Sequence, residues 1–189
     1  MDKYTVIKSA IGAETCELIK TTLLMIKDNL YFTHKVDVKN RNWFAGDPTP
    51  ENCCNLIAPL VTESLLLTLK PKIEEIAGCE LLPTYSYGRV YWPGCSMRTH
   101  IDRDSCEVSA SLCISVDPDP WPIFMNGDKL ELMPGDLVVY PGPKMPHWRE
   151  AYTGREQVQV FLHWVRADGE YKNLKFDRRP NLGLRTRTN

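Results

Sequence analysis

No stretch of the 189-residue chain approaches the roughly 18 consecutive apolar residues that a membrane-spanning helix requires. The longest apolar runs are short, around Leu23 to Ile26 and Leu65 to Leu67. The opening Met1-Asp2-Lys3-Tyr4 lacks the apolar stretch of a secretory signal, so export by that route is not expected. No C-x-x-C occurs among the seven cysteines, which disfavours a zinc ribbon. An odd count also rules out a disulfide framework that uses every thiol. The expectation is free thiols in a reducing compartment, the cytoplasm. Repeats at solenoid periods and low-complexity blocks are missing. There is no excess of one charge, the net value being −1. Residues 80–170 carry 13 acidic against 8 basic groups, a poor platform for a phosphate backbone, so a nucleic-acid partner is not expected. The basic tail 171–189, with Arg178, Arg179, Arg185 and Arg187, reads as solvated.

What is present has two textures. Cys16, Ile19, Leu23, Ile26 and Leu30 recur every three or four residues, an amphipathic helix. A second apolar segment covers about 52–69, and a short helix is expected from Pro71 to a cap at Gly78. Between these, 31–51 reads as a long loop and candidate lid. After residue 80 the period changes to two. Val108, Ala110, Leu112, Ile114 and Val116 alternate with Ser109, Ser111, Cys113 and Ser115. Val158, Val160, Leu162 and Trp164 alternate with Gln157, Gln159, Phe161 and His163. The serine face reads as the wetter side of its sheet, pocket lining being the alternative. Turns at Trp92-Pro93-Gly94, Asn126-Gly127-Asp128, Pro134-Gly135-Asp136 and Pro141-Gly142-Pro143 separate short strands, as in a sandwich or jelly roll. The expected class is α+β. One domain is expected over 1–189: helical support and lid in 1–79, a double-stranded β-helix (jelly-roll) core in 80–170, and a basic tail in 171–189.

Four histidines are present: His34, His100, His147 and His163. His100-Ile101-Asp102 followed by His147 offers two imidazoles and a carboxylate. Such a set occupies one face of an octahedral ion and leaves three positions open, which suits non-heme Fe(II). Residues i and i+2 of a strand point the same way, so His100 and Asp102 can share a face. His163 reads as structural. Arg155, eight residues after His147, can hold a carboxylate bidentately. Arg149, two residues after His147, is the other candidate.

Residues 82–168 resemble the Fe(II)/2-oxoglutarate-dependent dioxygenases, in particular the prolyl-4-hydroxylase-like branch. The matching residues are Arg89-Val90-Tyr91 and Gly94 ahead of His100-Ile101-Asp102, then Gly135-Asp136, His147 and Gly154-Arg155. The resemblance implies a double-stranded β-helix with Fe(II) held by His100, Asp102 and His147. It implies O2 and 2-oxoglutarate as co-substrates and hydroxylation of a C–H bond, with release of succinate and carbon dioxide. The family position for the 2-oxoglutarate anchor selects Arg155, with Arg149 still open, and Tyr91 is a candidate lining residue. Ascorbate is a candidate reductant. The expected substrate is a peptide, such as a peptidyl proline, or a small molecule. Two other readings stand beside this one. One is a cupin-like metal dioxygenase or isomerase that does not use 2-oxoglutarate. The other is a non-enzymatic jelly-roll binding module with His100 and Asp102 on its surface.

Overall fold

The structure, a computed structural model, describes residues 3–34 and 52–184. The first apolar stripe forms helix α1 (Ala13–His34), with Cys16, Ile19, Leu23 and Leu30 buried. The segment after the undescribed residues divides in two. Cys53–Ile57 is a strand, β2, and Leu60–Ala77 is helix α2. Pro71 lies inside α2 rather than starting a new helix. It sits on the exposed side, so the carbonyl one turn back, at Leu67 (50% exposed), can turn to water instead. Gly78 caps α2 as expected, in the left-handed conformation at φ 68°.

The remaining strands are β1 (Thr5–Ile7), β3 (Leu81–Tyr91), β4 (Met97–His100), β5 (Val108–Ser115), β6 (Ile123–Met125), β7 (Asp128–Leu130), β8 (Leu137–Tyr140), β9 (His147–Arg149) and β10 (Gln157–Arg166). They form a six-stranded sheet in the order β1-β8-β5-β10-β3-β2 and a four-stranded sheet in the order β4-β9-β6-β7. Every pairing is antiparallel. From β3 to β10 the chain winds back and forth between the sheets, which is a double-stranded β-helix. The β6–β7 hairpin turns at Asn126-Gly127, both with positive φ (49° and 97°), the pair that a two-residue type I′ turn selects.

The period-two pattern decides which face each residue meets. Val158, Val160, Leu162 and Trp164 join the helices in one core with Leu66 and Ile73 of α2 and Leu23 of α1. Each such side chain stabilises the fold by about 1.5–3 kcal/mol when fully buried. A one-residue slip of β10 would forfeit all four, so the register is strongly specified. The alternate residues Gln157, Gln159, Phe161 and His163 face the space between the sheets. So do Ser109, Ser111 and Cys113, which are all 0% exposed. The serine face is therefore not a wet face: the four-stranded sheet covers it.

Two further expectations change. Residues 31–34 belong to α1, while the rest of the candidate lid, with Trp43 and Phe44, lies outside the described residues. The C-terminal segment up to residue 184 is mostly exposed or half-buried, as a solvated tail would be, but Arg179 is held against the fold. Arg179 is buried, pairs with Glu63 (Nη2–Oε1 2.9 Å, Nη1–Oε2 3.2 Å) and donates to the Thr84 carbonyl at 2.9 Å. Arg103 pairs with Asp177 at 2.8 Å. Arg185 and Arg187 lie outside the described residues. None of the seven cysteines is in a disulfide. Among the described residues, no helix is long and apolar enough to cross a membrane.

Candidate metal centre

His100 closes β4 and His147 opens β9. The two strands pair so that these residues are direct partners, with Met97 opposite Arg149. The two imidazoles are therefore cross-strand neighbours, with ring centroids 4.2 Å apart. Asp102 reaches them by a different route from strand alternation, because β4 ends at His100. The Asp102 N–H donates to the Gly142 carbonyl at 3.0 Å. Gly142 sits so close that an added Cβ would lie 2.2 Å from the Cys106 carbonyl oxygen and 2.9 Å from Asp102 Cβ and Oδ2. The Pro141-Gly142-Pro143 turn thus carries the loop that places the carboxylate.

The result is a compact set of donors. Asp102 Oδ1 lies 3.6 Å from His147 Nε2 and 3.9 Å from His100 Nε2. All three donor atoms lie within 4.8 Å of one another, close enough for one ion to reach them all. Each imidazole engages the backbone carbonyl two residues earlier through Nδ1: His100 with Arg98 and His147 with Met145, both at 2.9 Å. Nδ1 must donate to these carbonyls, so each Nε2 keeps its lone pair for a metal. Burial holds the His147 pKa below its ordinary value, which keeps the ring neutral. The His147 side chain is 3% exposed and that of His100 is 42% exposed, so the cluster opens to solvent on the His100 side. A second grouping, Asp102 with Cys106 and His163, shares the carboxylate. Its thiol is tied to the Tyr85 hydroxyl at 3.2 Å and pushed up by burial to about 12, so it is protonated and a poor ligand.

The two candidate arginines part company. Arg155 lies in the loop before β10, 82% exposed, and its guanidinium is held by Asp117 (Nη2–Oδ1 2.6 Å, Nε–Oδ1 3.0 Å). The Gly154 turn is packed on the Asp117 carbonyl and the Tyr152 ring, and Arg155 leaves it toward solvent. Arg149 points between the sheets and is 2% exposed. Its guanidinium lies over the Trp121 ring at 4.7 Å, and Nη1 donates to the Trp121 carbonyl. Among the described residues, Arg149 Nε and Nη2 have no hydrogen-bond partner, nor do the Ser111 hydroxyl and the side-chain amides of Gln157 and Gln159. Tyr91 is fully buried, its ring edge-on to Trp121 at 4.9 Å, so it lines the same space as Arg149. Buried polar groups are rarely left unpaired, and this concentration beside a guanidinium fits an anionic, hydrogen-bonding ligand. A surface groove of 520 Å³ between α2, the start of β3 and residues 175–183 contains none of these residues.

Gly142→Ala is expected to destabilise the fold by about 1–3 kcal/mol, because the new methyl meets backbone rather than a flexible side chain. It should also weaken metal affinity by displacing Asp102. A thermal melt with a parallel Co(II) titration checks both, and affinity unchanged from wild type would remove Gly142 from the site. The sequence did not place Gly142 or His163 beside the three donors, and for Ser109 such a place was only the alternative to a wet sheet face. The Pro-Gly-Pro run was the one local signal, and it marked only a turn.

No family model matches the chain, and no curated protein matches it in sequence. Solved structures share its fold. HygX from Streptomyces hygroscopicus, with nickel and 2-oxoglutarate bound, is 13% identical over 87% of this chain and 83% of its own, with a TM-score of 0.63. A Pseudomonas putida prolyl-4-hydroxylase is 19% identical over 86% and 92%, with a TM-score of 0.57. The viral collagen prolyl hydroxylase vCPH from Paramecium Bursaria Chlorella virus-1 is 9% identical over 85% and 94%, with a TM-score of 0.62. At such identities the likeness is one of fold, and function has to be argued from the site.

Proposed function

We propose that this protein is an Fe(II)- and 2-oxoglutarate-dependent dioxygenase that hydroxylates a C–H bond of a peptide or small molecule. One observation carries the reading: two imidazoles with Nδ1 tied to carbonyls and Nε2 facing a shared carboxylate oxygen. The donor set fits the group, since two neutral nitrogens and one carboxylate are the protein share of a facial Fe(II) site. His100, Asp102 and His147 would hold the iron. When bound, iron, 2-oxoglutarate and dioxygen together supply the oxidising chemistry, with succinate and carbon dioxide released.

The protein's share is binding, orientation and exclusion of water. Arg149 is the proposed anchor for the distal carboxylate of 2-oxoglutarate. It lies on the same strand as His147, two residues along, so anchor and metal ligand point to the same side at a fixed separation. Its unpartnered Nε–H and Nη2–H would donate to that carboxylate, and Tyr91 and Trp121 wall the same end. Near the metal end, Tyr140 lies edge-on to His147 at 5.1 Å and keeps that face dry. The partly exposed His100 marks the side from which substrate enters. Two of the fold relatives are prolyl hydroxylases, which supports a peptidyl proline as the first substrate to test. HygX also has a structure with hygromycin B bound, which keeps small molecules in the set. Seven thiols outside any disulfide suit a reducing compartment, and the cytoplasm is the proposed location.

Anaerobic titration with Fe(II) and then 2-oxoglutarate tests the proposal. The expected result is one iron per chain and a weak visible charge-transfer band on adding the keto acid. His100→Ala should weaken iron binding by more than about 100-fold while leaving the fold intact. Succinate release is then screened over proline-rich peptides, free amino acids and methylated bases. Iron binding without any 2-oxoglutarate-dependent band or succinate would point to a cupin-like enzyme instead. No stoichiometric metal at all would leave a binding module.

A further inference from the structure

Asp102 Oδ1 is the oxygen turned toward both imidazoles, 3.6 and 3.9 Å from their Nε2 atoms. Its other oxygen, Oδ2, lies 3.0 Å from the hydroxyl of Ser109, a fully buried residue at the start of β5. The same hydroxyl lies 3.0 Å from the Cys106 carbonyl and 2.9 Å from His163 Nδ1. One hydroxyl proton cannot serve three acceptors. The carboxylate is the strongest acceptor of the three, and a charge-assisted bond is worth roughly twice a neutral one. Directing the proton there requires His163 to donate from Nδ1 to Ser109 rather than to accept from it. The His163 ring is clamped by Tyr85 and Tyr87, with centroids at 4.6 and 5.8 Å, and its Nε2 has no partner among the described residues. Ser109 and His163 are direct cross-strand partners, so the sheet register sets their separation.

We infer that Ser109, oriented by the Nδ1–H tautomer of His163, is a positioning residue that restricts Asp102 to ligation through one oxygen. The inference rests on the metal-centre reading above. Its consequence is a count of open positions. Two imidazoles and a carboxylate bound through one oxygen would leave three positions of an octahedral ion free for exogenous ligands. A carboxylate that swings to use both oxygens removes one of them. Ser109 would thereby keep a position open for exogenous ligands without itself touching metal or substrate.

Co(II) titration of the full chain, followed by its visible d–d absorption, tests this. Wild type should bind one Co(II). Ser109→Ala should bind about 10–100-fold more weakly and with an altered spectrum, since the freed carboxylate changes the coordination. Ser109→Ala with wild-type affinity and an unchanged spectrum would overturn the inference. A wild-type protein that takes up no Co(II) would instead defeat the metal-centre reading itself. A second measurement avoids any folding defect of the variant. In 15N-histidine-labelled, Zn(II)-loaded wild type, His163 should carry its proton on Nδ1. A proton on Nε2 would overturn the inference, because Ser109 would then have to donate to His163.

Discussion

Arg149→Met is expected to lower affinity for 2-oxoglutarate by roughly 30-fold to a few thousand-fold, the effect of removing one partner of a buried, hydrogen-bonded charge pair, about 2–5 kcal/mol. The same substitution is expected to stabilise the protein when no keto acid is bound. Two guanidinium N–H-bearing nitrogens, Nε and Nη2, are buried without partners among the described residues. Each unmet donor costs about 1–3 kcal/mol. The stacking of the guanidinium on Trp121 returns about 1–2 kcal/mol of this. Loss of the Nη1 bond to the Trp121 carbonyl offsets more of it, so the net is a small gain, and each gain of about 1 kcal/mol raises Tm by roughly 2–4 °C for a chain of this size. Opposite signs on binding and on stability distinguish an anchor from a packing residue, whose loss would lower both. Arg155→Ala should leave both unchanged, because its exposed ion pair with Asp117 touches nothing between the sheets. Calorimetric titration of 2-oxoglutarate into Mn(II)-loaded protein, with melts of the metal-free protein, reads both quantities. Loss of keto-acid binding in Arg155→Ala but not in Arg149→Met would move the anchor back to Arg155.

The second large effect is on acid stability. His163 is fully buried between β5 and β3, and burial holds its pKa down from 6.5 to about 4. The unfolded chain therefore takes up this proton near pH 6.5, while the folded protein refuses it until about pH 4. The stability that His163 links to pH is fully present above about pH 6.5, falls as pH drops through that window, and levels off below the folded value. A shift of this size corresponds to about 3 kcal/mol lost by pH 4. His147, also depressed by burial, acts in the same direction. Urea unfolding at pH 7 and pH 4.5 should show that His163→Gln loses much less stability on acidification than wild type does. Equal losses in the two proteins would show that His163 is not the group that couples folding to the proton.

Which features were readable from local sequence follows from how far each interaction reaches. Alternation along 108–116 and 157–164 is a property of neighbouring residues, and it determined both strands and their apolar faces. The Asn126-Gly127 turn and the Gly78 cap need left-handed backbone at single positions, so residue type alone determined them. That His100, Asp102 and His147 are residue types suited to such an ion was also legible. Their geometry was not. Asp102 joins the imidazoles through contact with Gly142, forty residues away in the chain, rather than through strand alternation. Arg149 and Arg155 are equally basic as residue types. Only the pairing of β4 with β9 and the outward Gly154 turn decided that one is buried and the other in water. Pro71 and the polar face of β5 depart from expectation for the same reason. A helix break or a wet face depends on what lies across from it, and that is set by packing between distant segments. The sequence by itself determined the element types and the chemistry available. The tertiary structure alone decided which polar groups lose their water, and that loss of water is what turns an imidazole, a serine or an arginine into part of a site.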